Sequence, residues 1–394
     1  MSYLAPSKRA AVRASMAFRS VGPSARPAFR SFTDSKKDKA VHAATQPSGQ
    51  QLGGMAPEFM PAQGQAPGPA VTPAPLQVPR AVPVPPLQLN VLEQAHKPEF
   101  YKAVSRIMEH RKNYIRDRHI WVPSEEMQEL CRGLGAREED FAKIQQVSEH
   151  LYFDPTLPFR KTRNGRFCFD YDTQSVRRLE FQPFALSVDE DFKRYDSGQI
   201  RRFDEIEDDL QLNTVLQALL VFKGMLLHEV ACVHRPKLDY EWNKYVLTLF
   251  SLRTFTNENI LGEPALEGVH SDGVDHTMTT FLGSSNMRGD SAATFMHAME
   301  EKTGSSLNES KPENIRARVQ HTRLLDTLVL VDHENKHSLS PVYQEDMTKD
   351  ATRDMLVFFT RKPVEKDHIS GKIDSLNPHQ EKRMEIPMFL PRTQ

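Results

Sequence analysis

The segment EGVHSDGVDH, Glu267–His276, places a histidine and an aspartate two residues apart between two glycines. It runs directly into HTMTTFLG, 276–283, which has the composition of a β-strand. Residues i and i+2 of an extended segment point to one side, so His270 and Asp272 can offer an imidazole nitrogen and a carboxylate oxygen to the same metal ion. The segment therefore predicts two ligands of a metal site at the end of a strand.

A third ligand is expected from a distant strand. In DHENKHSLSP, 332–341, His337 lies between a strand-like run and a turn that contains proline. Added to the first pair, it would give two histidines and one carboxylate on one face of the metal, which leaves about three positions open and suits non-haem Fe(II). His276 and His333 are rival ligands, because each is close in the chain to a member of this trio.

Two arginines are candidates for binding carboxylates. Arg353 lies near the start of the apolar run RDMLVFFTR, and a guanidinium that points into a barrel can hold a carboxylate with two hydrogen bonds. The far end of 2-oxoglutarate would need such a partner. Arg253, in LFSLRTF, is a second candidate that would bind the carboxylate of the substrate, and its alternative is a solvated strand residue.

Short β-rich runs separated by turn residues dominate the sequence after residue 240 and predict an all-β sandwich or barrel. These runs are YVLTLFSLRTF (245–255), HTMTTFLG (276–283), SAATFMHAM (291–299), LLDTLVLVD (324–332) and RDMLVFFTR (353–361). The segment NTVLQALLVFKGMLLHEV, 213–230, predicts an apolar helix that is capped by Asn213 and packs against the sheet. EFYKAVSRIMEHRKNYI (99–115) and PSEEMQELCRGLG (123–135) predict two earlier helices, and we expect the second to end at Gly133.

Composition divides the chain into four parts. Residues 1–98 are basic and then rich in proline and glutamine, and such sequence cannot bury enough apolar surface to order itself, so it predicts disorder. Within it, residues 1–33 have the composition of a mitochondrial targeting segment or of a basic tail. Residues 99–205 are expected to form a helical N-terminal part of the catalytic region, 206–363 the β core, and 364–394 a polar tail.

Charge and cysteine content limit the possible partners and compartments. Lys and Arg number 51 against 52 Asp and Glu, a net charge of −1, which gives no field that favours nucleic acid or an anionic membrane surface. No run reaches the roughly 18 apolar residues of a membrane span. Three widely spaced cysteines fit neither a disulfide framework nor a zinc finger. We therefore expect a cytoplasmic protein, with the mitochondrion as the alternative, that acts on a small-molecule substrate; its oligomeric state is left open.

Three blocks of sequence occur in the order of a known family. PALEGVHSDGVDHTMTTFL (264–282), LLDTLVLVDHENKHSLSPV (324–342) and TRDMLVFF (352–359) together resemble the iron and 2-oxoglutarate dependent dioxygenases of the L-isoleucine dioxygenase type, which hydroxylate free amino acids. The resemblance runs from about residue 242 to 361. It implies a mainly β protein with flanking helices, a double-stranded β-helix (the jelly-roll, cupin-like fold) preceded by a helical segment and a disordered N-terminus.

The resemblance also implies the roles of the candidate residues. It implies that His270, Asp272 and His337 bind Fe(II), and the SLSP that follows His337 matches the family block and favours this histidine over His333. It implies that Arg353 binds 2-oxoglutarate. No further catalytic residue is expected beyond the metal ligands.

The activity implied is hydroxylation of a small substrate, a free amino acid or an amino-acid-derived metabolite. It would consume 2-oxoglutarate and O2 and release succinate and CO2. An oxidative cyclase or desaturase of the same family is one alternative. A cupin-like metal-binding protein or isomerase without 2-oxoglutarate chemistry is another, and it would keep the metal ligands but would not need Arg353.

Overall fold

The computed structural model describes residues 88–186 and 197–391, and every statement below about structure concerns these residues. They form two antiparallel β-sheets, with helices that cover one face of the larger sheet. The predicted double-stranded β-helix with flanking helices is confirmed. The predictions of disorder and of a targeting segment before residue 88 lie outside the described residues and stay predictions.

The described residues form five α-helices and twelve β-strands, each kind numbered separately in chain order. The helices are α1 (Pro98–Asp117), α2 (Ser124–Leu134), α3 (Glu138–Gln146), α4 (Asp208–Gln211) and α5 (Thr214–Leu227). The strands are β1 (His119–Val122), β2 (Tyr152–Phe153), β3 (Arg160–Asp170), β4 (Ser175–Leu179), β5 (Lys244–Thr256), β6 (His276–Ser285), β7 (Thr294–His297), β8 (Ile315–Val319), β9 (Thr327–Val331), β10 (Lys336–Leu339), β11 (Ala351–Arg361) and β12 (Glu385–Pro387).

The larger sheet has the strand order β1-β9-β6-β11-β5-β3-β4-β12, with β2 paired to β3, and the smaller sheet has the order β10-β7-β8. Apolar side chains join the two sheets, since Met296 of β7 packs with Leu328 and Leu330 of β9. The sheets thus enclose a space between them, and that space contains the candidate site.

Helix α5 covers the other face of the larger sheet, as its sequence predicts. Every residue of α5 is buried, because this apolar helix packs between the sheet and the helices α1, α2 and α3. Its first turn is capped by Asn213, whose side chain accepts hydrogen bonds from the backbone N–H groups of Val215 at 2.9 Å and Leu216 at 3.4 Å. The cap satisfies donors that the start of a helix leaves free.

Strand β11 shows how the larger sheet separates the helices from the site. Leu356 and Phe358 belong to the core that contains the helices, whereas Met355, Val357 and Phe359 face the space between the sheets. Successive side chains of a strand point to opposite faces. From Met355 to Phe359 of β11, residues with even numbers therefore pack against the helices, and residues with odd numbers reach the site.

The β core extends beyond the predicted limits of 206–363 at both ends. Strand β3 lies inside the sheet, hydrogen bonded to β5 and β4, although we expected residues 99–205 to be helical. Strand β12 pairs with β4, although we expected 364–394 to be a polar tail. A buried ion pair explains the first error, because Arg166 of β3 binds the carboxylate of Asp374 from the C-terminal segment. These charges hide the apolar alternation that identifies a strand.

Two boundaries near the N-terminal end also differ from the prediction. Helix α2 continues through Gly133 and ends at Gly135, which adopts a φ of 104°. Gly133 belongs inside the helix because α1 and α2 approach closely there, and a Cβ at this position would lie 2.6 Å from the Cβ of Ala103. Packing begins before the predicted limit of residue 98, since Val91 is buried and the backbone N–H of Leu89 donates to Gln217 Oε1 at 2.7 Å. In the part of the chain that the structure describes, no helix has the length and apolarity needed to cross a membrane.

Candidate metal centre

His270 and His337 lie directly opposite each other on neighbouring extended segments. The backbone N–H of each histidine donates to the carbonyl of the other at 2.9 Å, which forms an antiparallel bridge. Opposed residues of an antiparallel pair present their side chains on the same face. The two imidazole rings are consequently close, with their centroids 4.4 Å apart.

Asp272 completes a cluster of three buried ligand groups. Its Oδ1 lies 3.4 Å from Nε2 of His270 and 3.6 Å from Nε2 of His337. One ligand atom from each residue lies within 4.8 Å of the other two, and among the described residues no other group of three or more His, Cys, Asp or Glu side chains meets this condition. The structure thus brings together the three residues predicted from the sequence.

Hydrogen bonds of their remaining polar atoms hold the side chains of His270 and Asp272 in place. Nδ1 of His270 lies 2.9 Å from the carbonyl of Gly268, and Oδ2 of Asp272 accepts a hydrogen bond from the Thr277 hydroxyl at 2.7 Å. A ligating histidine is commonly held in this way by its other nitrogen. Two imidazole Nε2 atoms and one carboxylate oxygen are a donor set that suits Fe(II), so the residues fit this metal.

The two histidines have opposite pKa shifts. Burial opposes protonation of His270, but the hydrogen bond to Asp272 and the charge of Glu267 outweigh it and raise its pKa to about 9. Burial lowers the pKa of His337 to about 4, with Asp272 acting against the shift. His337 is therefore neutral at physiological pH, whereas His270 must release a proton before its Nε2 can bind a metal.

The rival ligands lie elsewhere. His276 is buried on the helical side of the larger sheet, where its Nδ1 is 2.9 Å from the Tyr114 hydroxyl. His333 belongs to the short 3-10 helix Asp332–Glu334 that follows β9, and it is not part of the cluster. The preference for His337 over both rivals agrees with this geometry.

A cavity of about 130 Å³ adjoins the cluster and lies between the two sheets. Arg353 of β11 lines it and is buried, and its Nε has no hydrogen-bond partner among the described residues. Burial lowers the pKa of Arg353 to about 10, so the side chain is still a cation at neutral pH. Thr254 faces it across the β5–β11 pair and lines the same cavity. The arginine predicted to bind 2-oxoglutarate is thus a buried cation at the site.

The structure does not bring Arg253 to the cavity. Arg253 precedes Thr254 on β5 and therefore points to the opposite face, where its guanidinium binds both carboxylate oxygens of Asp354 at 2.7 Å. The pair lies outside the cavity lining. The expectation that Arg253 binds the substrate is corrected accordingly, because its charge is already paired on the other side of the sheet.

The cavity has charged and aromatic lining residues that the sequence did not indicate. Arg201 lines it and lies over the ring of Phe184, with the guanidinium carbon 4.9 Å from the ring centroid. Arg160 also lines it and binds Asp154 at 2.8 Å. These residues belong to the part that was predicted to be helical, and no local pattern marks them as facing the metal cluster.

Comparison with known proteins agrees with this geometry. Residues 145–359 match the sequence model of a family described as 2OG-Fe dioxygenase. The match begins well before residue 242, where the resemblance seen in the sequence begins, and it includes β3 and β4. All three cluster residues and Arg353 lie within it.

Two known proteins have high sequence identity to the chain. The solved structure of the Fe(II)/α-ketoglutarate-dependent dioxygenase TqaL is 56% identical, with a TM-score of 0.65, and the match covers 75% of this chain and 100% of that one. The bifunctional enzyme flvA of Aspergillus flavus is 47% identical over 305 residues, which are 77% of this chain and 37% of flvA. The chain thus matches little more than a third of the length of flvA.

A third similarity concerns the fold alone. The structure of a bsmA homologue from Methylobium petroleophilum is 18% identical, with a TM-score of 0.50, and the match covers 70% of this chain and 94% of that one.

Proposed function

The chain belongs to the 2OG-Fe dioxygenase family, and we propose that it oxidises a free amino acid or an amino-acid-derived metabolite at a centre formed by His270, Asp272 and His337. It is a non-haem iron oxidoreductase whose cofactors are Fe(II), 2-oxoglutarate and O2. A metal-binding cupin without 2-oxoglutarate chemistry is therefore excluded. The roles of individual residues and the class of substrate are the proposal.

The observation that carries the proposal is the convergence of three buried ligand atoms beside a buried cation. Two Nε2 atoms and Oδ1 of Asp272 would bind the metal on one side and leave its other side toward the cavity. When bound there, Fe(II) and 2-oxoglutarate supply the oxidising chemistry that consumes O2 and releases succinate and CO2. The protein holds the three metal-binding side chains in place and positions 2-oxoglutarate and the substrate. The apolar walls of the cavity exclude water.

Arg353 is proposed to bind the distal carboxylate of 2-oxoglutarate. A buried guanidinium without a counterion is costly, and a planar carboxylate matches its two parallel donors. Nε of Arg353 has no partner among the described residues, and the next residue of the strand, Asp354, points to the opposite face and already binds Arg253. A carboxylate from the cavity side would complete the site.

The amino-acid substrate is supported by the mixed character of the cavity. Its walls contain Phe250, Val357 and Phe359, which suit an aliphatic side chain, and Arg201 and Glu267, whose opposite charges suit the carboxylate and ammonium groups of an amino acid. Arg201 thereby replaces Arg253 as the candidate partner of the substrate carboxylate. A cavity of about 130 Å³ favours a small molecule.

The proposal is tested by anaerobic addition of Fe(II) and 2-oxoglutarate, then air, and a screen of free amino acids for succinate release. Amino-acid-dependent succinate supports the substrate class, and its absence with every amino acid would remove it. Mass spectrometry of the product separates hydroxylation, which adds one oxygen atom, from cyclisation or desaturation, which removes two hydrogen atoms.

A pair of histidine variants tests the metal ligands. His337→Ala should lose both iron binding and turnover, because one Nε2 donor is removed. His333→Ala is the matched control, since it removes the same group four residues earlier and outside the cluster. The reverse result would overturn the assignment.

A further inference from the structure

Asp332 lies behind the metal cluster and binds the backbone of the segment that carries Asp272. It is fully buried, at the start of the 3-10 helix that follows β9. Its Oδ1 accepts a hydrogen bond from the backbone N–H of Asp272 at 2.7 Å, and its Oδ2 accepts from Gly273 at 2.9 Å and from Val274 at 3.2 Å. One carboxylate therefore holds three consecutive N–H groups.

A buried cation on the far side completes this arrangement. Nη1 of Arg235 lies 3.4 Å from Oδ2 of Asp332, and the same guanidinium donates to the carbonyl of Val274. Both side chains are buried, so the ion pair is little screened by water. The segment from Asp272 to Val274 is thus fixed through its N–H groups and also through a carbonyl.

The position of Asp332 in the chain connects the two parts of the metal cluster. It lies in the turn between β9 and β10, and β10 carries His337. The backbone N–H of Asp332 also donates to the carbonyl of Asp275 at 3.1 Å, which ties this turn to the end of the Asp272 segment. A displacement of Asp332 would change the position of the carboxylate ligand relative to the histidine ligand.

We infer that Asp332 is a positioning residue of the metal centre, which fixes the backbone of Asp272 so that Oδ1 faces both histidines. The inference rests on the proposed metal role of Asp272. Asp332 does not touch the metal, the cosubstrate or the substrate; it acts through the ligand. Changes to groups that orient a metal ligand typically weaken metal affinity by about 10- to 100-fold.

Asp326 provides a matched control at the other end of the same strand. Its carboxylate also accepts hydrogen bonds from three backbone N–H groups, those of Ser124 at 2.9 Å and of Thr322 and Arg323 at 2.8 Å. It is buried like Asp332 but holds no segment that carries a proposed ligand. Asp326→Asn therefore removes a buried carboxylate that accepts three backbone hydrogen bonds, but it should not disturb the proposed metal centre.

The experiment compares Asp332→Asn with Asp326→Asn in the 394-residue chain. Asparagine keeps the shape, but its amide nitrogen cannot accept a hydrogen bond, so each variant loses part of its network. Affinity for Co(II) is measured by titration of the metal-free protein, and Tm is measured with and without Co(II). Asp332→Asn should weaken Co(II) binding by at least about 10-fold and reduce the rise of Tm on metal addition. Asp326→Asn should lower Tm but leave Co(II) affinity within about twofold of the wild type, because it touches no ligand segment.

Two results would overturn the inference: unchanged Co(II) affinity in Asp332→Asn, or equal losses of affinity in both variants. Asp332→Glu carries the test if the asparagine variant does not fold. Glutamate keeps the charge but moves its oxygens away from the three N–H groups, so Co(II) affinity should again fall by about 10-fold; wild-type affinity would overturn the inference. Asp272→Ala distinguishes failure of the positioning role of Asp332 from failure of the proposed metal site. If that variant keeps full Co(II) affinity, the proposed metal site itself fails.

Discussion

Replacement of Arg353 by leucine tests the part of the site that distinguishes a 2-oxoglutarate enzyme from other metal proteins on this fold. The side chain is 4% exposed, and its Nε has no partner among the described residues. Truncation of one member of a buried charge pair costs about 2–5 kcal/mol. At about 1.4 kcal/mol per tenfold, Arg353→Leu should weaken 2-oxoglutarate binding by about 30-fold or more.

The assay is a titration of the Fe(II)-loaded protein with 2-oxoglutarate under anaerobic conditions, followed through the visible charge-transfer band. Iron affinity should not change, because no ligand is removed. Arg353→Lys should recover only part of the loss, since an ammonium group does not reproduce the planar fork of the guanidinium. Arg253→Leu is the matched control. It removes the same group from the neighbouring strand, where the guanidinium binds Asp354 outside the cavity, and should leave 2-oxoglutarate affinity unaltered.

Thermal unfolding gives an independent measurement of the same effect. Without ligand, Arg353→Leu should be at least as stable as the wild type, because replacement of a buried charge by an apolar group is often neutral or stabilising. At a 2-oxoglutarate concentration of 100 times the wild-type Kd, the ligand should stabilise the wild type by about 2.7 kcal/mol and a variant with 30-fold weaker affinity by only about 0.9 kcal/mol. Equal stabilisation of both proteins, or an equal loss in Arg253→Leu, would refute the assignment of Arg353.

Three further predictions concern the metal and the N-terminus. Asp272→Ala should abolish the charge-transfer band of the Fe(II) and 2-oxoglutarate complex, and a spectrum like that of the wild type would contradict its role as a ligand. Apparent Co(II) affinity should rise between pH 7 and 9, by up to about tenfold per unit, because His270 must release a proton whose pKa is raised to about 9; an affinity that does not change over this range would contradict the raised pKa of His270. Deletion of 1–87 should leave Tm and turnover nearly unchanged, whereas deletion of 1–96 also removes the buried Val91 and should cost about 1.5–3 kcal/mol in unfolding free energy.

One pair of the proposed metal ligands could be predicted because its determinants are local. His270 and Asp272 are two residues apart, and the extended backbone alone places them on one side. His337 could not be chosen over His333 from local pattern, and the match of the following SLSP to the family block favoured it. Asp332 could not be identified in this way, because its role depends on backbone N–H groups some 60 residues away in the chain, and no side-chain pattern records them.

Strand β3 was missed for a different physical reason. Its sequence, RKTRNGRFCFD, contains arginines at positions where a strand of a buried sheet would be expected to carry apolar residues. Arg160 binds Asp154, Arg163 lies 3.4 Å from Asp209, and Arg166 binds Asp374. The three acids come from different parts of the chain, so the partners that permit burial of these cations are not evident from the strand itself.

The contrast between Arg353 and Arg253 shows where sequence reasoning about a site reaches its limit. The two arginines lie on adjacent strands of one sheet; Arg353 was expected to point inward, and Arg253 either inward or into solvent. Alternation of apolar and polar residues identifies the inward face only when the other face is in water. Here helices cover one face of β11 and the cavity adjoins the other, so Leu356 and Phe358 on one side and Val357 on the other are equally apolar. Only the position of each arginine in the alternation of its strand decides which face it lies on. Strand β11 pairs with β5 so that Arg353 faces Thr254 in the cavity, whereas Arg253 binds Asp354 on the opposite side. A one-residue shift in the register of β11 would turn Arg353 to the face on which Arg253 lies, and this register is set by long-range pairing that no local pattern encodes.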